Sequence, residues 1–107
     1  MFGNIVMKTL GAVLLTVMLA GNALAAEHTV RIKGMKFQPA NLSVAAGDTV
    51  TFINNDNAPH TATAKDGSFS TPRLGKGNSA KIKISKSGAF DYFCAVHPRM
   101  KGKIVSN

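Results

Sequence analysis

The chain is poor in residues that staple a small domain or balance its charge. Cys94 is its only cysteine, so no disulfide can form within the chain, and a zinc knot built on several thiolates is excluded. Acidic side chains are scarce as well: five Asp and Glu stand against thirteen Lys and Arg, for a formal net charge of +8. No acid–base pair of the kind a hydrolase needs is visible. No apolar run reaches the roughly 20 residues that span a bilayer. There is no sustained helical period, internal repeat or low-complexity segment.

The basic residues that dominate the charge are scattered from Arg31 to Lys103. They form no run, and aromatics are not interleaved with them, so no platform for stacking nucleic-acid bases is present. Their expected effect is on solubility and on the rate of encounter with acidic partners.

What the chain does have begins at the N-terminus. Met1 to Lys8 carries one positive charge, Thr9 to Ala20 is uncharged and mostly apolar, and Ala23-Leu24-Ala25 is a small-x-small cleavage motif. That order predicts a secretory signal peptide over residues 1–25, a single domain over 26–107 and a periplasmic location. No cysteine lies near the cleavage point for a lipid anchor, and no stable membrane insertion is expected after cleavage. If cleavage follows Ala25, the chain begins Ala26-Glu27-His28. Its amine, two amide nitrogens and imidazole can enclose Cu(II) or Ni(II) in a plane of four nitrogens; the plain alternative is an exposed histidine on a frayed end.

Beyond residue 26 the pattern is one of short strands. Val30 and Ile32 alternate with Arg31 and Lys33, Leu42 and Val44 with Asn41 and Ser43, and Ile82 and Ile84 with Lys81, Lys83 and Ser85. Thr49 to Ile53, Ala89 to Cys94 and Gly102 to Val105 add further β-rich runs, while residues 65–79 read as loop. Strands about ten residues apart with turn residues between them predict an all-β fold, an antiparallel sandwich or barrel.

An exported protein with one unpaired thiol needs a reason for it: metal ligation, or burial as an inert small hydrophobe. Ligation is favoured by the spacing Cys94-x2-His97-x2-Met100, with His60 upstream after Pro59. One thiolate and two imidazoles, capped by a weak thioether, suit both cuprous and cupric copper. A structural zinc site would hold more thiolates and no thioether. A Cys–His nucleophile would leave His60 and Met100 without a role and lacks an orienting group.

Residues 35–105 resemble the cupredoxins, the type 1 blue copper proteins, and within them the amicyanin branch. The matching stretches are Met35-Lys36-Phe37, Ala46 to Asn54, Pro59-His60, Asp91-Tyr92, Cys94 to Met100 and Lys101 to Val105. The resemblance implies a Greek-key β-sandwich and one copper ion bound by His60, Cys94, His97 and Met100. It also implies that Asn54 ties the His60 loop to the cysteine loop. The function implied is one-electron transfer, not catalysis, between redox proteins of the periplasmic dehydrogenase or cytochrome c kind. A periplasmic copper-delivery protein is the other reading; the lack of methionines other than Met35 and Met100 after residue 25 speaks against it.

Three positions depart from the family pattern. Ala95 replaces a Ser or Thr, so a hydroxyl link to Asn54 is lost. Val96 replaces a proline and has an N–H that can point at the Cys94 sulfur. Phe90 stands where a tyrosine usually staples a corner. His97 is expected at the surface as the electron port, ringed by Ala58, Pro59 and Pro98, with Arg99 beside it to favour an acidic docking surface.

Overall fold

A computed structural model describes residues 24–107; the expected signal segment lies outside the described residues except for Leu24 and Ala25. Eight strands follow in order: β1 (Glu27–Lys33), β2 (Lys36–Gln38), β3 (Asn41–Val44), β4 (Thr49–Asn54), β5 (Thr63–Ala64), β6 (Ser79–Lys83), β7 (Gly88–Phe93) and β8 (Lys101–Ser106). They form two four-stranded sheets, β2-β1-β4-β6 and β3-β8-β7-β5. The expected all-β sandwich is present, with one difference from a purely antiparallel arrangement. β1 pairs parallel with β4, and β3 pairs parallel with β8. Each parallel pair joins strands distant in sequence, which local turn signals do not reveal.

The alternation read from the sequence carries over to burial. Val30 and Ile32 of β1 and Val50 and Phe52 of β4 face inward and are fully buried, while Arg31 and Lys33 face solvent. Residues 65–78 contain no named strand, as expected, although Leu74 forms an isolated bridge with His60. The centre of the core is aromatic. Tyr92 meets Phe37 at 4.7 Å and Phe52 at 5.4 Å between ring centroids, both edge-on, with Phe69 at 5.9 Å. Edge-to-face packing of this kind adds to the area term. Phe90 is buried beside Gly88 and fills its corner by packing alone.

Two local arrangements secure the ends of the sandwich. Gly102 sits opposite Tyr92 on β8, and a Cβ there would fall 2.3 Å from the tyrosine Cζ. The absence of a side chain is what lets the ring lie against the neighbouring strand. At the other end the buried Asp48 carboxylate accepts hydrogen bonds from Ala26 N–H and Ala45 N–H, each at 2.9 Å, and meets His28 Nε2 at 2.9 Å. The Ala45 bond first, then the His28 and Ala26 bonds, hold the Asp48 carboxyl down at about 2, against an ordinary 3.8. A four-nitrogen copper site at Ala26-Glu27-His28 would need a free amine at Ala26, and here Ala25 precedes it. Glu27 and His28 belong to β1, where Glu27 pairs with Thr49 and His28 with Val50. Successive side chains of the strand point to opposite sides, and the His28 ring turns to Asp48.

Gly102→Ala is expected to lower stability by about 1–3 kcal/mol through overpacking, read as a fall in Tm. Tyr92→Phe in the natural background is expected to leave Tm unchanged or raise it, because the Tyr92 hydroxyl is buried without a hydrogen-bond partner among the described residues and such a group costs stability. For Asp48, a depressed folded pKa means stability that is present above pH 3.8 and is lost as pH falls toward 2. Urea midpoints measured across that range should fall steeply for the natural protein and more gently for Asp48→Asn.

Candidate metal centre

Cys94 follows directly on β7, and the loop to β8 is folded back on itself. Cys94 N–H donates to Met100 O at 3.0 Å, His97 N–H to Cys94 O at 3.2 Å, and Met100 N–H to His97 O at 2.9 Å. The turn residues that stop β7 thereby place the Cys94, His97 and Met100 side chains around one end of the sandwich. His60 arrives from the other side. The chain crosses from β4 in one sheet to β5 in the other, and His60 is fixed on the way by exchanging backbone hydrogen bonds with Leu74 at 3.0 and 2.8 Å.

The result is a compact triangle of donor atoms. Cys94 Sγ lies 3.6 Å from His60 Nδ1 and 3.7 Å from His97 Nδ1, and the two Nδ1 atoms are 3.2 Å apart. His60 and Cys94 are fully buried, Met100 is 6% exposed, and His97 alone of the four is half-buried. A metal with bonds of about 2.0–2.3 Å to nitrogen and sulfur sets its donors about 3.3–3.8 Å apart. Two of the three separations fall in that span and the third is just short of it, so the donor set fits a single ion. Met100 borders the same end: with Met35, Val96, His97, Pro98 and Arg99 it lines an open depression.

Hydrogen bonding assigns the state of His60. Its Nε2 is 2.9 Å from Asp56 Oδ2. An ionised carboxylate only accepts, so Nε2 carries the hydrogen and Nδ1 keeps its lone pair for the triangle. Burial pushes the Asp56 carboxyl up, but N–H groups of Met35 and Gly34 and the His60 ring outweigh it and hold the group below its ordinary value.

Three expectations about the surroundings change. Asn54 is fully buried, and its amide donates to Ala58 O and Leu74 O, both at 2.8 Å, while its Oδ1 accepts Asp56 N–H at 2.9 Å. Its bonds brace the His60 loop rather than tying that loop to the cysteine loop. The tie is made by Thr61, which the sequence reading did not single out. Thr61 Oγ1 accepts Ala95 N–H at 2.8 Å, and Thr61 N–H points at Cys94 Sγ at 3.3 Å. Since Ala95 contributes only its backbone, the link survives without the hydroxyl expected there. Val96 N–H is not among the hydrogen-bond donors to the sulfur; its half-buried side chain packs against the core instead. The only hint of the role of Thr61 was its place next to a ligand-type histidine. Pro98 and Arg99 are exposed and share the depression with His97, while Ala58 and Pro59, next to His60 in the chain, are half-buried.

Residues 8–106 match the family described as cupredoxin-like domain. The chain is 35% identical over 86 residues to amicyanin-alpha of Methylorubrum extorquens, covering 76% of this chain and 72% of the relative. It is 33% identical over 81 residues to amicyanin of Paracoccus denitrificans, covering 71% of this chain and 62% of that relative, under two thirds of its length. Among solved structures, a Cu-containing nitrite reductase from Thermus scotoductus superposes with a TM-score of 0.72 at 33% identity, over 85% of this chain and 25% of the enzyme chain. With two curated relatives above 30% identity and a family match over nearly its whole length, this chain belongs to the cupredoxin-like family.

Proposed function

We propose that the protein is a periplasmic one-electron carrier with one type 1 copper ion held by His60, Cys94, His97 and Met100. The observation that carries this reading is the buried triangle of Cys94 Sγ and two imidazole Nδ1 atoms, 3.2–3.7 Å apart, with only His97 reaching the surface. Copper supplies the reversible exchange of a single electron between its cuprous and cupric states. The protein's part is to hold three strong donors in place, to keep water away with the buried Cys94, His60 and Met100, and to present one ligand edge to a partner. The unpaired thiol is thereby accounted for, as is its survival in an oxidising compartment behind the leader of residues 1–25. Similarity to the nitrite reductase extends over a quarter of that enzyme's chain and supports a shared domain, not a shared reaction.

The docking face is the ring around His97. Its apolar members, Ala58, Pro59 and Pro98, suit a brief contact at the small end of interface size. Arg99 is exposed there, and the chain carries an excess of positive charge. The partner we propose is therefore a redox protein with an acidic docking surface, such as a periplasmic dehydrogenase or a c-type cytochrome.

Titration of the metal-free protein with copper should saturate at one equivalent and produce an intense visible thiolate-to-copper band. Cys94→Ser should abolish the band, and His60→Ala should weaken copper binding by more than the roughly 10–100-fold that loss of a supporting partner costs. A colourless, weakly bound complex would refute the reading. Stopped-flow electron transfer to an acidic partner should slow as salt rises, since screening shortens the reach of surface charge. Arg99→Glu should lower the rate at low salt and flatten its salt dependence.

A further inference from the structure

The carboxylate of Asp56 has no part in the donor triangle, yet three hydrogen-bond donors converge on it. Gly34 N–H reaches Oδ1 at 2.8 Å, Met35 N–H reaches Oδ2 at 2.9 Å, and His60 Nε2 lies 2.9 Å from the same Oδ2. Gly34 and Met35 form the two-residue turn between β1 and β2, closed by the Lys33–Lys36 pair. Both residues have positive φ, 62° and 60°, the geometry of a type I′ hairpin turn. Glycine adopts it freely; methionine does so against steric resistance. Met35 is nonetheless 44% exposed and lies on the rim of the depression it shares with His97 and Met100. A strained residue thus stands beside the site, held by its N–H on the carboxylate that also holds His60.

We propose that Asp56 is the positioning residue that sets both the tautomer and the electron richness of His60, and that it fastens the Gly34–Met35 turn to the metal centre. The proposal rests on the copper reading for its redox consequence, but not for its structural one. The chemistry admits few substitutes. All three neighbours are donors, so the group between them must be acceptor-only, and among uncharged side chains of this length an amide fails because its nitrogen donates. An asparagine oxygen at the Oδ2 position accepts from both His60 and Met35 but sets its NH2 against Gly34 N–H; flipped, its oxygen serves Gly34 alone and its NH2 faces His60 and Met35. A carboxylate hydrogen-bonded to the far nitrogen of a ligand histidine raises the basicity of the near one. It therefore favours the more highly charged ion and lowers the reduction potential. The Thr61 N–H on Cys94 Sγ acts in the opposite sense, because it withdraws charge from the thiolate.

The test compares the natural chain with Asp56→Asn and Asp56→Glu. In the metal-free protein, 15N NMR of His60 should show the Nε2–H tautomer in the natural chain. In Asp56→Asn the tautomers should mix, and the Gly34 and Met35 amides should exchange faster with solvent. In the copper-loaded protein, voltammetry should show a higher potential for Asp56→Asn, equivalent to a roughly tenfold loss of preference for the oxidised ion, or about 59 mV for a one-electron couple. Asp56→Glu, which keeps the charge, should return the potential toward the natural value. An Asp56→Asn protein that loses thermal stability but keeps tautomer and potential would overturn the proposal and leave Asp56 a structural clamp. Failure of the chain to bind copper, with the tautomer change intact, would refute the functional reading while supporting the positioning role.

Discussion

The two hydrogen bonds of Thr61, its N–H to Cys94 Sγ at 3.3 Å and its Oγ1 from Ala95 N–H at 2.8 Å, join the loop that crosses between the sheets to the loop that closes the β7–β8 hairpin. His60 belongs to the crossing from β4 to β5, and Cys94 to the hairpin of β7 and β8. Neither loop alone can bring a thiol and two imidazoles together. Because Thr61 follows His60 directly, any shift of the cysteine loop is passed to the histidine through a single peptide unit. Hydrogen bonds to a thiolate and between buried groups are among the stronger kinds, so the join is stiff where stiffness matters. A centre that fits both oxidation states with little movement needs such rigidity.

Charge around the donor triangle is arranged with equal economy. A carboxylate lies behind one imidazole and an amide dipole points at the sulfur, so the two act on the metal's preference in opposite directions. Asn54 completes the arrangement without adding charge, spending both amide hydrogens and its oxygen on the loop that carries Asp56 and His60. The buried polar groups here are satisfied by one another, which is the condition for holding them in a small domain at all. A second carboxylate, the buried Asp48, gathers the start of β1 and the turn that leads from β3 into β4 at the far end.

Much of this was legible from residue patterns. The strands of alternating character, from Val30-Ile32 to Ile82-Ile84, appear with the burial expected of them, because alternation reports directly on which face meets the core. His60, Cys94 and His97 were identified as ligand-type residues by chemistry and spacing, and the fold brings all three within contact. What the residues did not reveal depends on contacts between distant segments. The parallel pairs β1–β4 and β3–β8 have no turn to announce them. Thr61 reads as an ordinary β-branched residue until its neighbours at the end of β7 are known. Asp56 reads as one member of a polar turn, Asn54 to Asn57, until the Gly34–Met35 hairpin is seen to end on it. Val96 shows the opposite error: its N–H could have met the sulfur, but the backbone donor found there is Thr61 N–H.

The hairpin that carries the ligand loop closes at the Phe93–Lys101 pair, one step above the Tyr92–Gly102 contact. Above that neck the loop is shaped by its internal hydrogen bonds, by the Thr61 join and by the packing of Cys94, Val96 and Met100 on the core. The ligand loop is therefore shared with the body: Cys94, Val96 and Met100 serve the core as well as the site. A substitution at any of those three alters packing and ligation together, whereas the exposed Ala95, Pro98 and Arg99 are the positions where the rim can change while the core stays as it is.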